Sequence, residues 1–156
     1  SLPRKGRALD LACGRGKNSL YLAQRGLQVT AADISRNGLE RLMQAARSMG
    51  LEERIEPRCV DLDQHEFEQS AFDLVVVVRF LNRDLFRALQ AALKPGGILL
   101  YKTFNHRVLE QRPGFNPDFT IETEALVEGF GEMEVIADNH GDKRSEYAFL
   151  LARKPG

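Results

Sequence analysis

The chain has few cysteines, no excess charge of either sign and no long hydrophobic run, and each absence excludes a class of protein. Of its 156 residues only Cys13 and Cys59 are cysteines, and neither belongs to a spacing typical of metal sites. We therefore expect reduced thiols in a cytoplasmic protein, and no metal. The 22 basic and 22 acidic residues cancel, so no overall field favours nucleic acid or anionic lipid.

Apolar runs are of strand length only. The longest lie around residues 74–78 and 98–101 and are far shorter than the roughly 20 residues that span a bilayer. The start of the chain does not resemble a signal peptide. Since the length suits one core, we expect a single domain over residues 1–156 and no membrane segment.

Apolar stretches of strand length alternate with stretches of helical period along the chain, which is typical of a mostly parallel sheet covered on both faces. The pattern predicts strands over residues 8–13, 28–34, 55–60, 73–78, 98–104, 133–137 and 146–153. Helices are predicted over residues 17–25, from Ser35 to about 49, 84–93 and 122–128. The last two strands have no helix between them and therefore form an antiparallel hairpin. The predicted fold class is α/β, a Rossmann-like doubly wound sheet of seven strands, mostly parallel, with an antiparallel C-terminal hairpin strand.

The second predicted helix has one apolar face. Ser35 can cap its start and Gly50 its end. The residues expected to share its buried face are Leu39, Leu42, Met43, Ala46 and Met49.

Residues 105–118 break the alternation. The segment is polar, contains Pro113, Gly114 and Pro117, and is too long for an ordinary connection between packed elements. We expect it to be a lid or a binding loop.

A glycine turn follows the first strand. Gly14 and Gly16 permit positive φ and a close approach of the backbone to a ligand, and the amides that open the next helix can bind an anionic group. The first βα turn is the usual ligand site in open α/β sheets. The same glycines also occur in tight turns that bind nothing.

Two carboxylates follow neighbouring strands. Asp33 ends the second strand, roughly twenty residues beyond the glycine turn, where it can accept hydrogen bonds from ribose hydroxyls. Alternatively it caps the helix that follows. Asp61 ends the third strand and either points into the same crevice or serves only as a turn residue. Together with the turn, these positions indicate a cofactor that contains adenosine.

Five short motifs follow one another along the chain: LDLACGRG at 9–16, ADIS at 32–35, VDL at 60–62, FDLV at 72–75 and LKPGG at 93–97. They resemble the motifs of class I S-adenosylmethionine-dependent methyltransferases, and the stretch GRGKNSLYLA at 14–23 resembles their tellurite-resistance-like group. The order and spacing match over nearly the whole chain. The resemblance implies S-adenosyl-L-methionine as the cofactor and a methyltransferase as the activity.

The resemblance also implies roles for individual residues. Asp10 would lie near the cofactor's ammonium group, Asp33 would hold the ribose and Ile34 would pack on the adenine. Asp61 with Leu62 would recognise the adenine edge. The implied cofactor-binding residues are Asp10, Ala12, Cys13, Gly14, Gly16, Asn18, Asp33, Ile34, Asp61, Leu62 and Arg79. Ala12 stands where many members have glycine, which we expect to be tolerated as long as its φ is negative.

The catalytic residues remain open, because a sulfonium is already an activated methyl donor and a base is optional. Arg79 and Arg83 leave the fourth strand and can bind an anionic acceptor, although Arg83 can equally begin a solvated helix. His106 is a candidate proton acceptor, but a lone loop histidine is more often only solvated. Tyr101 and Phe104 are expected to be packing residues.

Two other functions were weighed. A nicotinamide-dependent oxidoreductase would also use the glycine turn and Asp33, but Ser19 occupies the position of the third fingerprint glycine and Asp10 is unusual in that fold. A methyltransferase-like domain with a regulatory or scaffolding role is excluded by no motif. We expect a methyl acceptor that is a small molecule, and neither nucleic acid nor a membrane as partner.

Overall fold

The computed structural model describes residues 2–156, and its strands form a single sheet. The strands are β1 (Arg7–Leu11), β2 (Gln28–Asp33), β3 (Ile55–Cys59), β4 (Phe72–Val78), β5 (Leu93–Phe104), β6 (Glu134–Asp138) and β7 (Tyr147–Arg153). Their order is β3-β2-β1-β4-β5-β7-β6. Neighbours among β1 to β5 are parallel, and β7 is antiparallel to both β5 and β6. The predicted fold class, with its terminal hairpin, is confirmed.

Helices cover both faces of the sheet. They are α1 (Lys17–Arg25), α2 (Arg36–Ser48), α3 (Phe86–Ala92), α4 (Val108–Gln111) and α5 (Thr123–Gly129). Alternate residues of β1 and β4 pack on opposite sides: Ala8 and Val76 belong to the apolar cluster under α1 and α2, whereas Leu9 and Val75 belong to the cluster under α3 and α5. No helix within residues 2–156 is long and apolar enough to cross a membrane.

Several predicted details differ from the structure. Met49 is 44% exposed, so its predicted place on the buried face of α2 is wrong; it lies beyond the last helical turn, as the C-cap. The helix predicted from residue 84 begins as a 3₁₀ turn at Arg83–Leu85, because the Asn82 side chain accepts a hydrogen bond from the amide of Asp84. The predicted loop 105–118 contains α4 and the start of a second 3₁₀ turn, Pro117–Phe119.

Strand order reverses at β1, which lies between β2 and β4. Leu11 pairs with Ala32 of β2 and with Val77 of β4, so these three parallel strands end at the same edge of the sheet. Ligands of doubly wound sheets bind in the crevice at such a reversal. The loops after β1, β2, β3, β4 and β5 all converge on this edge.

Candidate functional site

The turn after β1 takes a left-handed backbone. Ala12, Gly14 and Gly16 have φ values of 59°, 56° and 80°. The negative φ on which we expected tolerance of alanine at position 12 to depend is therefore absent. The amides of Ala12 and Cys13 both donate to the carbonyl of Ala32, at 2.8 and 3.3 Å, which bends the chain toward β2. A left-handed residue other than glycine costs roughly 1–2 kcal/mol, so the turn stores local strain.

A glycine of α2 allows this turn to lie close to the helix. A Cβ at Gly38 would stand 2.8 Å from the carbonyl oxygen of Gly14, whereas a Cβ at Gly14 would meet nothing within 4 Å. Packing therefore requires glycine at position 38, whereas at position 14 it is the left-handed backbone that favours glycine. The sequence reading overlooked Gly38. Its signal was a glycine in the first turn of a helix, where glycine costs about 1 kcal/mol relative to alanine.

Asp33 connects the end of β2 to the glycine turn. Its Oδ2 accepts a hydrogen bond from the amide of Gly14 at 2.8 Å, and its Oδ1 accepts one from the amide of Ser35 at 2.8 Å. The helix cap is Ser35, whose hydroxyl accepts from the amide of Gly38. Each oxygen of the Asp33 carboxylate has a second lone pair with which to accept a ribose hydroxyl. Ile34, next to it, is 68% exposed.

Asp10 is a buried carboxylate under this turn. Its side chain is 1% exposed, and its Oδ2 accepts a hydrogen bond from the Ser19 hydroxyl at 2.6 Å. Burial, with a smaller contribution from the nearby Asp33 carboxylate, raises the pKa of Asp10 to about 6 despite the lowering effect of the Ser19 hydrogen bond. A cationic group of a ligand would stabilise the ionised form. Ser19 was missed as a site residue; the signal was a hydroxyl on the buried side of α1.

The loop after β3 is hydrogen-bonded to the loop after β4. Asp61 is exposed, and its Oδ1 accepts a hydrogen bond from the amide of Asp63 at 3.0 Å, so the turn role of Asp61 is present. Leu62 is buried in the core. Asp63 accepts a hydrogen bond from the Asn82 side chain at 2.8 Å, which joins this loop to the loop after β4.

A cavity of about 600 Å³ lies at the carboxyl ends of β4 and β5. Arg79 and Arg83 both line it, and the Nη2 of Arg83 donates to the carbonyl of Thr120 at 3.3 Å. Its other lining residues include Asp63, Phe80, Asn82, Phe104, Phe115 and Phe119. Tyr101 is buried and packs on Phe86 and Phe130, as predicted, while Phe104 is buried and also forms part of the cavity wall.

Two of the predicted residues lie elsewhere. Asn18 lines a separate groove on α1 with Tyr21 and Val78. His106 is not among the residues of the cavity wall; its ring Nδ1 and its backbone amide both bond to the Glu122 carboxylate. Partial burial raises the pKa of Glu122, but the hydrogen bonds from His106 outweigh this effect and lower it.

The fold is a doubly wound α/β sheet with two features at the carboxyl ends of its parallel strands. One is the glycine turn with the carboxylates Asp10 and Asp33, and the other is the cavity of about 600 Å³.

The comparisons with known proteins assign the family. Residues 8–97, more than half of the chain, match the methyltransferase domain family, and the chain belongs to it. YqeM of Bacillus subtilis, named as a methyltransferase, is 36% identical over 110 residues, covering 65% of this chain and 43% of that protein. The ubiquinone biosynthesis O-methyltransferase of Idiomarina loihiensis is 33% identical over 65% of this chain and 44% of its own. The tRNA 5-carboxymethoxyuridine methyltransferase of Escherichia coli K12 is 29% identical over 66% and 42%. The chain thus spans less than half the length of these relatives.

Solved structures share the complete fold. TehB from Haemophilus influenzae superimposes with a TM-score of 0.79 at 24% identity, covering 96% of this chain and 58% of TehB. The [4+2]-cyclase SpnF gives a TM-score of 0.79 at 23% identity, covering 99% and 76%. The resemblance to class I S-adenosylmethionine-dependent methyltransferases is confirmed, and S-adenosyl-L-methionine is the cofactor of this superfamily.

Proposed function

We propose that the domain transfers the methyl group of S-adenosyl-L-methionine to a small-molecule nucleophile bound in the cavity at the ends of β4 and β5. The observation that carries the proposal is the placement of two sites side by side. Asp63 belongs to the loop after β3 and also lines the cavity, so a ligand at the ends of β1 and β2 and a second one in the cavity are neighbours.

The proposed cofactor contacts are those that the family resemblance implies, and the geometry of the turn supports them. Asp33 accepts the ribose hydroxyls with its remaining lone pairs, and Asp10 stabilises the ammonium group by charge. Gly14 and Gly16 let the backbone approach the methionine part. The exposed Ile34 supplies apolar surface for the adenine. Asp61, Leu62, Cys13 and Ala12 belong to the proposed set as neighbours of these contacts.

When bound, the cofactor supplies a methyl group on a sulfonium; the acceptor's lone pair forms the new bond to carbon while the carbon–sulfur bond breaks and its electron pair returns to sulfur. The protein has to hold the acceptor about 3 Å from that carbon, in line, with little water. A proton lost by the acceptor passes to solvent or to a cavity carboxylate such as Asp63.

The acceptor class is argued from size and charge. A cavity of about 600 Å³ is in the range that binds small molecules. The zero net charge gives no general attraction for nucleic acid. Because one relative is named for tRNA, total tRNA belongs in the acceptor test.

The free thiols Cys13 and Cys59 suit a reducing compartment, and we propose the cytoplasm.

The cofactor proposal is tested by calorimetric titration with S-adenosylmethionine, S-adenosylhomocysteine and NADH. We expect both adenosyl ligands to bind and NADH not to bind. Asp33→Ala should abolish this binding, whereas Asp138→Ala, which removes another strand-end carboxylate bonded to an amide, should not. Binding of NADH instead, or undiminished binding by Asp33→Ala, would contradict the proposal.

The acceptor is tested with methyl-labelled S-adenosylmethionine and three pools: a small-metabolite extract, total tRNA and total protein. Label in the metabolite fraction supports the proposal. Label only in tRNA or protein overturns the small-molecule assignment while leaving methyl transfer in place.

A further inference from the structure

Arg79 has a strained backbone at the mouth of the cavity. Its φ is +57°, and its amide donates to the carbonyl of Lys102 at 2.8 Å, continuing the β4–β5 ladder. A non-glycine residue in this conformation costs about 1–3 kcal/mol, and such residues concentrate at ligand sites. The conformation therefore fixes the direction of one particular side chain.

The guanidinium of Arg79 has donors left for a ligand. Its Nε and Nη2 donate to the Tyr147 hydroxyl, at 3.2 and 2.9 Å. Within residues 2–156 the guanidinium forms no salt bridge. Because a guanidinium has five N–H donors, the end formed by Nη1 and Nη2 keeps two parallel donors, the fork that matches a carboxylate.

Aromatic rings hold this arginine and form the wall beside it. The Tyr147 ring stacks on Phe104, with ring centres 4.9 Å apart and an interplanar angle of 21°. The Cζ of Arg79 lies 5.8 Å from the centre of the Phe104 ring. Phe115 and Phe119 also line the cavity. The Phe115 ring lies edge-on to Phe104, with ring centres 5.3 Å apart, and Phe119 is 54% exposed. Such surface favours a flat apolar ligand.

The charge of the cavity limits where an anion can bind. Its wall also carries Asp63, Asp84 and Asp118, so the lining as a whole does not attract anions. Arg83 uses one donor of its guanidinium on the carbonyl of Thr120, at 3.3 Å. The aromatic rings beside Arg79 favour it over Arg83 as the partner of an anionic group on a flat ligand.

We infer that the methyl acceptor is a small aromatic carboxylic acid, that Arg79 binds its carboxylate and that Tyr147 is the positioning residue of Arg79. This inference rests on the proposed function. Tyr147 does not line the cavity, and its hydroxyl acts through the arginine.

The test uses defined probes on protein saturated with S-adenosylhomocysteine: benzoate, phenylacetate, benzyl alcohol and benzylamine, titrated by calorimetry. We expect the two carboxylates to bind at least about tenfold more tightly than the alcohol, and benzylamine to bind most weakly. Tighter binding of benzylamine, or equal binding of benzoate and benzyl alcohol, overturns the inference.

Variants separate the roles of the two residues. Arg79→Gln should remove the preference for carboxylate over alcohol, and Arg79→Lys should restore only part of it, because an ammonium lacks the fork. Tyr147→Phe should weaken benzoate by about threefold to tenfold and leave benzyl alcohol unchanged. A Tyr147→Phe variant that weakens both probes equally would show a merely structural role.

Two controls complete the experiment. Arg87→Gln removes an exposed arginine of α3 outside this cavity and should change no probe. For Arg87→Gln and Tyr147→Phe, unchanged binding of S-adenosylhomocysteine and an unchanged Tm show that the variant is folded. For the Arg79 variants the criterion is an unchanged Tm alone, since Arg79 also belongs to the implied cofactor-binding residues. If S-adenosylhomocysteine binds but carboxylates do not, the acceptor class is wrong; if S-adenosylhomocysteine itself does not bind, the proposed function fails.

Discussion

At the residue scale, Asp10 is a buried carboxylic acid whose ionisation lowers the stability of the folded protein. The pKa of its carboxyl rises from 3.8 to about 6 because the group is buried. The folded protein therefore holds this proton more tightly than the unfolded chain, and the contribution to stability is lost as pH rises from about 4 to about 6. At pH 7 ionisation costs the free protein roughly 3 kcal/mol, at about 1.4 kcal/mol per pKa unit.

Asp10→Asn should raise the free energy of unfolding at pH 7 by about 2 kcal/mol, because the amide avoids this cost while still accepting the Ser19 hydrogen bond. The same variant should lose affinity for S-adenosylmethionine. Urea unfolding at pH 4 and pH 7 checks the first effect, and calorimetry checks the second. Ser19→Ala, the control, should be less stable than wild type at pH 7; an Asp10→Asn variant less stable than wild type there would contradict the buried-charge account.

Ala12→Gly should not destabilise the protein, although glycine in a strand or helix usually does. The left-handed φ of +59° favours glycine by about 1 kcal/mol, which offsets its larger loss of backbone entropy. Ala12→Val should cost more than about 2 kcal/mol. Thermal unfolding of the wild type, Ala12→Gly and Ala12→Val checks this. The control is Ala8→Gly, at a buried position of β1, where we expect a loss of about 1 kcal/mol. A loss as large for Ala12→Gly would mean that the turn is not left-handed in solution.

At the scale of elements, the first turn of α2 positions the glycine turn. Gly38→Ala would improve the helix propensity, yet its Cβ would press on the Gly14 carbonyl at 2.8 Å. We expect S-adenosylmethionine to bind about tenfold more weakly, since Gly14 and Asp33 must move apart from their present contact. Gln44→Ala, on the exposed side of the same helix, should leave the affinity unchanged. Calorimetric titration with S-adenosylmethionine measures the affinity of both variants, and equal affinities would contradict the role of Gly38.

The start of the segment 105–118 is held by the buried amide side chain of Asn105. Asn105 is 3% exposed; its Nδ2 donates to the carbonyl of Ser145 at 2.9 Å and its Oδ1 accepts from the amide of Arg107 at 2.8 Å. Asn105→Ala should cost about 2 kcal/mol and speed amide hydrogen exchange through residues 106–120. Asn116→Ala removes only an exposed turn bond to Asp118 and should have a local effect. Equal rates of amide hydrogen exchange in the two variants would contradict the role assigned to Asn105.

At the scale of the whole molecule, the sequence predicted the sheet because β1, β2, β4, β5 and β7 carry buried apolar residues in runs of strand length. A local pattern also singled out Asp33, the last residue of β2, and Gly14, in the turn after β1. Tyr147 and Gly38 were missed because contacts between separate elements create their roles; Tyr147 bonds to a residue 68 positions away in the chain. Ala12 kept its predicted place but not its backbone conformation, which depends on a carbonyl of β2.

The whole fold does not determine the reaction. A structure named for a [4+2]-cyclase and one named TehB match this chain with the same TM-score of 0.79. The chemistry therefore depends on side chains at the site, among which we propose that Arg79 and its aromatic neighbours select the acceptor.

The place of β7 in the sheet sets an order of events when the chain is made. β7 follows β5 and β6 in sequence but lies between them in the sheet, so β5 remains an open edge until β7 has been translated. The glycine turn and Asp33 belong to β1, β2 and the segments beside them, and they can assemble earlier. Arg79 acquires Tyr147 only when β7 is inserted. In a nascent chain the glycine turn therefore forms before the residue pair that the proposed acceptor site requires.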